Sequence, residues 1–162
     1  MVRPMDDEGR FERLLDVLDD LVAENLTTPI VVEGLRDVAS LRRLGCAGEV
    51  LTLNAGETLH ARAERLAGSA SWVILLTDWD RKGDQLFAAM REKLAANGVR
   101  ADGTFREKLQ MWMRPPVKDV ESLADYVARN LERYHGKDLA DLSTVGPRGP
   151  GNDAGPAFDT GK

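Results

Sequence analysis

The sequence predicts an α/β domain of three layers, with helices on both faces of a mostly parallel four-stranded sheet, and three observations carry that expectation. Short apolar or β-branched runs at Ile30–Val32, Val50–Leu53 and Trp72–Thr77 are each followed by a segment whose apolar residues recur every three or four positions. The third run is apolar up to its last residue, as a central parallel strand buried on both faces requires. Gly45, Gly68 and the pair Asn97-Gly98 close the three helical segments. Strand, helix and parallel strand in succession imply right-handed crossovers.

The elements follow in order. Phe11, Leu14, Leu15, Leu18, Leu21 and Val22 share one helical face, which Asn25 and Pro29 stop, so residues 1–27 are expected to form an acidic amphipathic leading helix. Ile30–Val32 is the first strand, closed by Glu33-Gly34, and Val38, Leu41 and Leu44 stripe the helix behind it. Val50–Leu53 opens the second unit, with Leu59, Ala63 and Leu66 on its helix. Trp72–Thr77 opens the third, followed by Leu86, Phe87, Met90 and Leu94, and Val99–Ala101 is expected as a short fourth strand. Thr104 and Glu107 have capping-box spacing for a helix bearing Phe105, Leu109 and Met113, halted by Pro115 and Pro116. A last helix is expected from about Val120 to Tyr134, with Asp119 as its N-cap, Leu123, Val127 and Leu131 on one face, and Gly136 at its end. Residues 28–136 then make the domain proper. Residues 137–162 read as a disordered Gly/Pro-rich tail, too poor in apolar side chains to offset the entropy of ordering.

Composition bounds the function. A chain of 162 residues, 43% hydrophobic and 30% charged, suits one compact domain and excludes a multidomain polymerase or topoisomerase. No run approaches the roughly 20 apolar residues that span a bilayer, and Asp6, Asp7 and Glu8 stand where a signal peptide would be basic and then apolar, so a cytoplasmic protein without a membrane partner is expected. Cys46 alone forms no internal disulfide, and with only His60 and His135 beside it there is no zinc set. Any metal must be held by oxygen. The formal net charge of −5 is unevenly spread. Eight acids and three arginines fall in residues 1–29, whereas residues 81–118 hold nine Lys or Arg against four acids. A phosphate-bearing ligand is compatible with that second stretch, and the acidic leading helix favours a protein partner or a homodimer interface.

In open parallel sheets, ligands sit outside the carboxyl ends of strands where the strand order reverses. Glu33 ends the first strand and Asp78 and Asp80 follow the third, their two-residue spacing turning both to one side of an extended chain. Two like charges at about 4 Å repel by roughly 4 kcal/mol at an effective dielectric near 20, so carboxylates gathered this closely invite a hard divalent cation, magnesium first. Arg81 and Lys82 stand beside them to neutralise phosphate, and Gly83 lets backbone approach closely at a helix start whose free N–H groups favour anions. The same acids also suit a solvated turn and a plain strand end, and spacing leaves both readings open. An EF-hand register from Asp78 fails at Lys82 and Ala89, and no GxxxxGK[ST] is present.

The segments Ile30-Val31-Val32-Glu33-Gly34-Leu35-Arg36-Asp37-Val38 and Leu75-Leu76-Thr77-Asp78-Trp79-Asp80-Arg81-Lys82-Gly83 resemble the TOPRIM domain shared by primases, topoisomerases and ribonuclease M5, and most of all the small stand-alone TOPRIM proteins of archaea and bacteria. The likeness covers roughly residues 28–125. It implies a Rossmann-like fold and a magnesium site at Glu33, Asp78 and Asp80, with manganese able to substitute. It further implies that Glu33 acts as general acid or base in nucleotidyl transfer or phosphodiester cleavage, with RNA or DNA as partner. Topoisomerase versions often carry a third aspartate, where this chain has Lys82; a catalytic tyrosine domain and a primase's zinc-binding region are also lacking. Ribonuclease M5 is the nearest functional analogy, and a noncatalytic nucleic-acid or partner-binding module is the alternative.

Neighbouring residues take supporting parts. Arg36 is a candidate phosphate contact; Asp37 caps a helix or orients the site; Asp84 supports the metal through water or stabilises a helix dipole. Trp79 is placed either to stack on a base or to anchor the loop. Trp112, with Met111 and Met113, reads as core or as a partner-facing patch. Tyr126 and Tyr134 read as packing residues, His60 and His135 as surface residues, and Cys46 as a small buried filler.

Overall fold

A computed structural model of the chain describes residues 5–53, 56–113 and 117–144. Four strands, β1 (Ile30–Val32), β2 (Val50–Thr52), β3 (Trp72–Leu75) and β4 (Arg100–Asp102), pair in the order β2-β1-β3-β4, and every pairing is parallel. Parallel neighbours need long crossovers. These are supplied by α2 (Leu35–Arg43), α3 (Leu59–Ala67) and α4 (Arg81–Ala96). Helices α1 (Asp7–Asn25), α5 (Thr104–Met113), α6 (Leu123–His135) and α7 (Leu139–Thr144) complete the chain.

Alternation along the strands divides the core in two. Ile30, Val32, Ile74 and Leu76 point into one layer with residues of α1, α5 and α6, while Val31, Val73 and Leu75 point into the other with Ala63 and Leu66 of α3 and Met90 and Leu94 of α4. The expected three-layer α/β architecture is therefore the observed one. β4 is displaced by one residue from its expected place, and β3 ends at Leu75, although the Leu76 N–H still donates to Val31 O (2.8 Å) and Leu76 and Thr77 remain fully buried.

The leading helix, set apart as residues 1–27 by its charge, is part of the same core. Leu14 and Leu21 of α1 are completely buried, and α1 packs against α5, so its apolar face is covered by the chain itself rather than left for a partner. Asn25 does more than stop the helix. Its Nδ2 donates to Thr28 O (3.2 Å) and Glu49 O (2.9 Å), and its Oδ1 accepts from Gly48 N (2.9 Å), tying the end of α1 to the entry of β2.

Two helix starts differ from expectation. The N–H of Thr104 donates to Asp102 Oδ1 (2.9 Å) and that of Glu107 to Gly103 O (3.0 Å), so Asp102 organises the start of α5 in place of a Thr104–Glu107 box. Asp119 Oδ1 accepts from Ser122 N (2.8 Å) and caps the turn ahead of α6, which begins only at Leu123. The expected tail at 137–162 is corrected over its first residues. Asp138 and Asp141 accept from each other's backbone N–H (2.9 and 3.1 Å), starting α7, whose Leu139 and Leu142 pack on the core. Residues 145–162, and Pro115 and Pro116, lie outside the described residues. Among the described residues no helix is long and apolar enough to cross a membrane.

If α1 is integral, Leu14→Ala should cost about 2–5 kcal/mol, the range for emptying a packed core site. Urea unfolding followed by circular dichroism measures it, and a loss under 1 kcal/mol would mean a detachable helix.

Candidate metal and phosphate site

β1 and β3 are neighbours although β2 lies between them in sequence, so the strand order reverses at their carboxyl ends. The two strand-end acids meet there. Glu33 Oε2 accepts a hydrogen bond from the backbone N–H of Asp78 (2.8 Å), and the Glu33 and Asp78 carboxyl groups interact directly. Asp37, buried in the first turn of α2, accepts from Gly34 N (3.0 Å) and closes the helix start as a cap. Burial, followed by the charges of Glu33 and Asp37, pushes the Asp78 carboxyl up to about 7, against the opposing pull of the Val120 N–H that donates to Asp78 Oδ1 (3.0 Å). Burial raises Asp37 as well, helped by the charge of Glu33.

Among the described residues no Lys, Arg or His forms an ion pair with Glu33, Asp37 or Asp78. The negative charge is thus concentrated without a protein counter-ion, and its donors are all hard carboxylate oxygens. That donor chemistry fits a divalent cation of the magnesium type.

Asp80 is turned elsewhere. It is the N-cap of α4, and its Oδ1 accepts from Gly83 N (2.6 Å). Glu33, Asp78 and Asp37 are therefore brought together, while Asp80 faces its own helix, and among the described residues no three Asp, Glu, His or Cys side chains are arranged as a ligand set. Gly83 is required by a close approach: a Cβ there would lie 1.8 Å from the Asp78 carbonyl oxygen. Arg81 and Lys82 project into solvent from the first turn of α4, without an ion pair among the described residues. Arg36 is exposed and pairs with Glu121 (3.3 Å), a contact weak enough to exchange for another anion.

The loop that presents Asp78 is held from two sides. Arg106 of α5, 9% exposed, donates through Nε to Thr77 O (3.1 Å) and through Nη2 to Asp78 O (2.7 Å) and Asp84 Oδ1 (2.6 Å), while its guanidinium lies over the Phe87 ring. Asp84 therefore serves Arg106. Trp79 is 1% exposed, its Nε1 donates to Val117 O (2.6 Å) and its N–H to Lys118 O (3.0 Å), so it anchors the loop and does not stack on a base. Thr77 Oγ1 donates to Gly83 O (2.9 Å) beneath. Arg106 was not singled out from the sequence, although a cation in register with Phe105, Leu109 and Met113 on a core-facing stripe was visible there. Trp112 packs partly buried against the core, Met113 is fully buried and Met111 exposed. Cys46 is buried, as expected of a filler.

A Toprim-like family model matches residues 30–124, a span that contains both strand-end acids and the segment holding Trp79. The chain belongs to the Toprim-like family. A UPF0292 protein of Methanocaldococcus jannaschii is 35% identical over 121 residues, covering 75% of this chain and 94% of the relative. A UPF0292 protein of Methanosarcina acetivorans is 37% identical and covers 74% and 83%. Among solved structures, a protein from Aquifex aeolicus superposes with a TM-score of 0.60 at 28% identity, over 67% of this chain and 96% of that one.

The raised Asp78 carboxyl links this edge of the Toprim-like domain to stability. Between the unfolded carboxyl range near 4 and about 7, the folded state holds the extra proton, so stability falls as pH rises through that window. In EDTA the wild-type melting temperature should decline from pH 5 to pH 8. Asp78→Asn, which keeps an acceptor for Val120 and removes the charge, should melt higher than wild type at pH 8 and show a flatter profile. A variant melting below wild type at pH 8 would contradict the assignment.

Proposed function

We propose that this Toprim-like protein carries out magnesium-dependent phosphodiester chemistry on nucleic acid, nuclease-like in the manner of ribonuclease M5. The observation that carries the proposal is the pair Glu33 and Asp78, in contact at the switch point with no Lys, Arg or His paired to them among the described residues. Glu33, Asp78 and the Asp80 oxygen not committed to Gly83 would hold the ion, with manganese able to replace magnesium. A bound magnesium supplies polarisation of the phosphate and stabilises charge on the attacking and leaving oxygens.

The chain's own residues do the rest. Glu33 moves the proton, since it reaches the metal edge while its backbone is fixed by β1. Arg81 and Lys82 take the phosphates on either side of the reacting one, at the positive end of the α4 dipole, which favours an anion. Arg36 exchanges Glu121 for phosphate when the strand arrives. Arg106 and Trp79 act by positioning, because each holds backbone of the Asp78 loop.

The capping bond of Asp80 favours a second reading, a noncatalytic nucleic-acid or protein-binding module, since a ligand that caps its own helix is half committed. Structured RNA and DNA incubated with the protein and magnesium or manganese distinguish the two. Cleavage by wild type should fall at least 100-fold in Asp78→Asn and in Glu33→Gln. Equal cleavage by wild type and Asp78→Asn would refute the catalytic assignment, and magnesium-independent binding that survives Glu33→Gln, without cleavage, would support the module.

A further inference from the structure

α6 carries a second concentration of charge, which the Glu33–Asp78 edge does not use. Counting from Tyr126, Arg129 and Arg133 follow at three and then four residues, and Asn130 and Tyr134 at four and four; with Asp7 and Arg10 from the start of α1 they line a cavity of about 470 Å³. Three guanidinium groups face one carboxylate there, in a chain whose formal net charge is −5.

Arg129 and Arg133 stand four residues apart, where like charges on a helix repel, and neither forms an ion pair among the described residues. Arg133 lies over the Tyr134 ring, 5.3 Å from its centre, which braces the planar fork without using up its N–H donors. Tyr126 is half-buried, and burial raises its phenol, leaving a neutral O–H able to donate; the charges of Arg10 and Arg129 both bear on that group. Arginines from two helices thus converge around a phenol in a concave, polar space of mononucleotide size. Guanidinium forks match phosphate oxygens in pairs, a geometry lysine does not offer.

We propose that the α1–α6 groove binds a phosphate group, carried either by a mononucleotide or by a nucleic-acid strand, through Arg10, Arg129 and Arg133. The ligand sits on guanidinium forks from both helices, with the Tyr126 hydroxyl as a further donor. No metal is involved, so the groove operates in EDTA and stands independently of Glu33 and Asp78.

The test uses the full chain in EDTA, with calorimetry of AMP and fluorescence anisotropy of a labelled 12-nucleotide single-stranded RNA. The double substitution R129A/R133A should weaken whichever ligand binds at least tenfold, with the circular dichroism spectrum unchanged. For RNA it should also lower the slope of log affinity against log salt by about 1.4, two contacts' worth. R129K/R133K should recover part of the affinity. Loss confined to AMP assigns a phosphomonoester, and loss confined to RNA a phosphodiester; either supports the groove. Binding of neither ligand, affinity unchanged in R129A/R133A, or loss in R81A/K82A with none in R129A/R133A would overturn it.

Discussion

Parallel pairing of β1 with β3 forces two acids against each other. Once Ile30 lies opposite Ile74 and Val31 opposite Leu75, the residues that leave these strands have little choice of position, and Glu33 arrives beside the Asp78 backbone. At about 4 Å and an effective dielectric near 20, such a meeting costs roughly 4 kcal/mol when both groups are ionised. The Asp78 N–H to Glu33 and the Val120 N–H to Asp78 offset part of that, each hydrogen bond to a charged group contributing about 1.5–3 kcal/mol. Burial, with what remains of that repulsion added to it, pushes the Asp78 carboxyl up to about 7.

The surrounding structure makes this arrangement rigid. Arg106 reaches up from α5 to take the carbonyls of Thr77 and Asp78, and Trp79 pins the other flank to residues 117 and 118. Both clamps fix the loop after β3, and with it the backbone N–H of Asp78 that Glu33 accepts. Gly83 completes the bracket, because any side chain there would displace the Asp78 carbonyl. An edge prepared in this way, with negative charge in its centre and Arg81 and Lys82 at its rim, combines what a cation and a phosphodiester each require.

Local pattern made the sheet readable. The buried runs at β1 and β3 and the helical stripes at Leu86 to Leu94 follow directly from periodicity, and an acid at the end of each strand was legible as a meeting point because doubly wound sheets reverse there. What periodicity does not carry is the identity of the neighbour. The stripe of α1 announced that a face would be buried and not that α5 would cover it. Asp80 followed three residues later by Gly83 is a helix-capping spacing, yet the proximity of Asp78 drew it into a triad reading; the cap bond and the ligand role compete for the same side chain. Arg106 was missed for the opposite reason, since a charged residue in an apolar stripe declares its partner only when the loop it grips has been placed. At 137–144 the composition suggested disorder, and a reciprocal pair of aspartate caps made a helix instead.

The proposed chemistry requires Glu33 and Asp78 to share one divalent cation. Crystals grown with manganese and measured at its absorption edge report on this directly. An anomalous peak is expected between the two carboxylates, within reach of the Asp80 oxygen that does not cap Gly83. Fully occupied manganese elsewhere, with Glu33 still hydrogen-bonded to Asp78 and nothing between them, would contradict it.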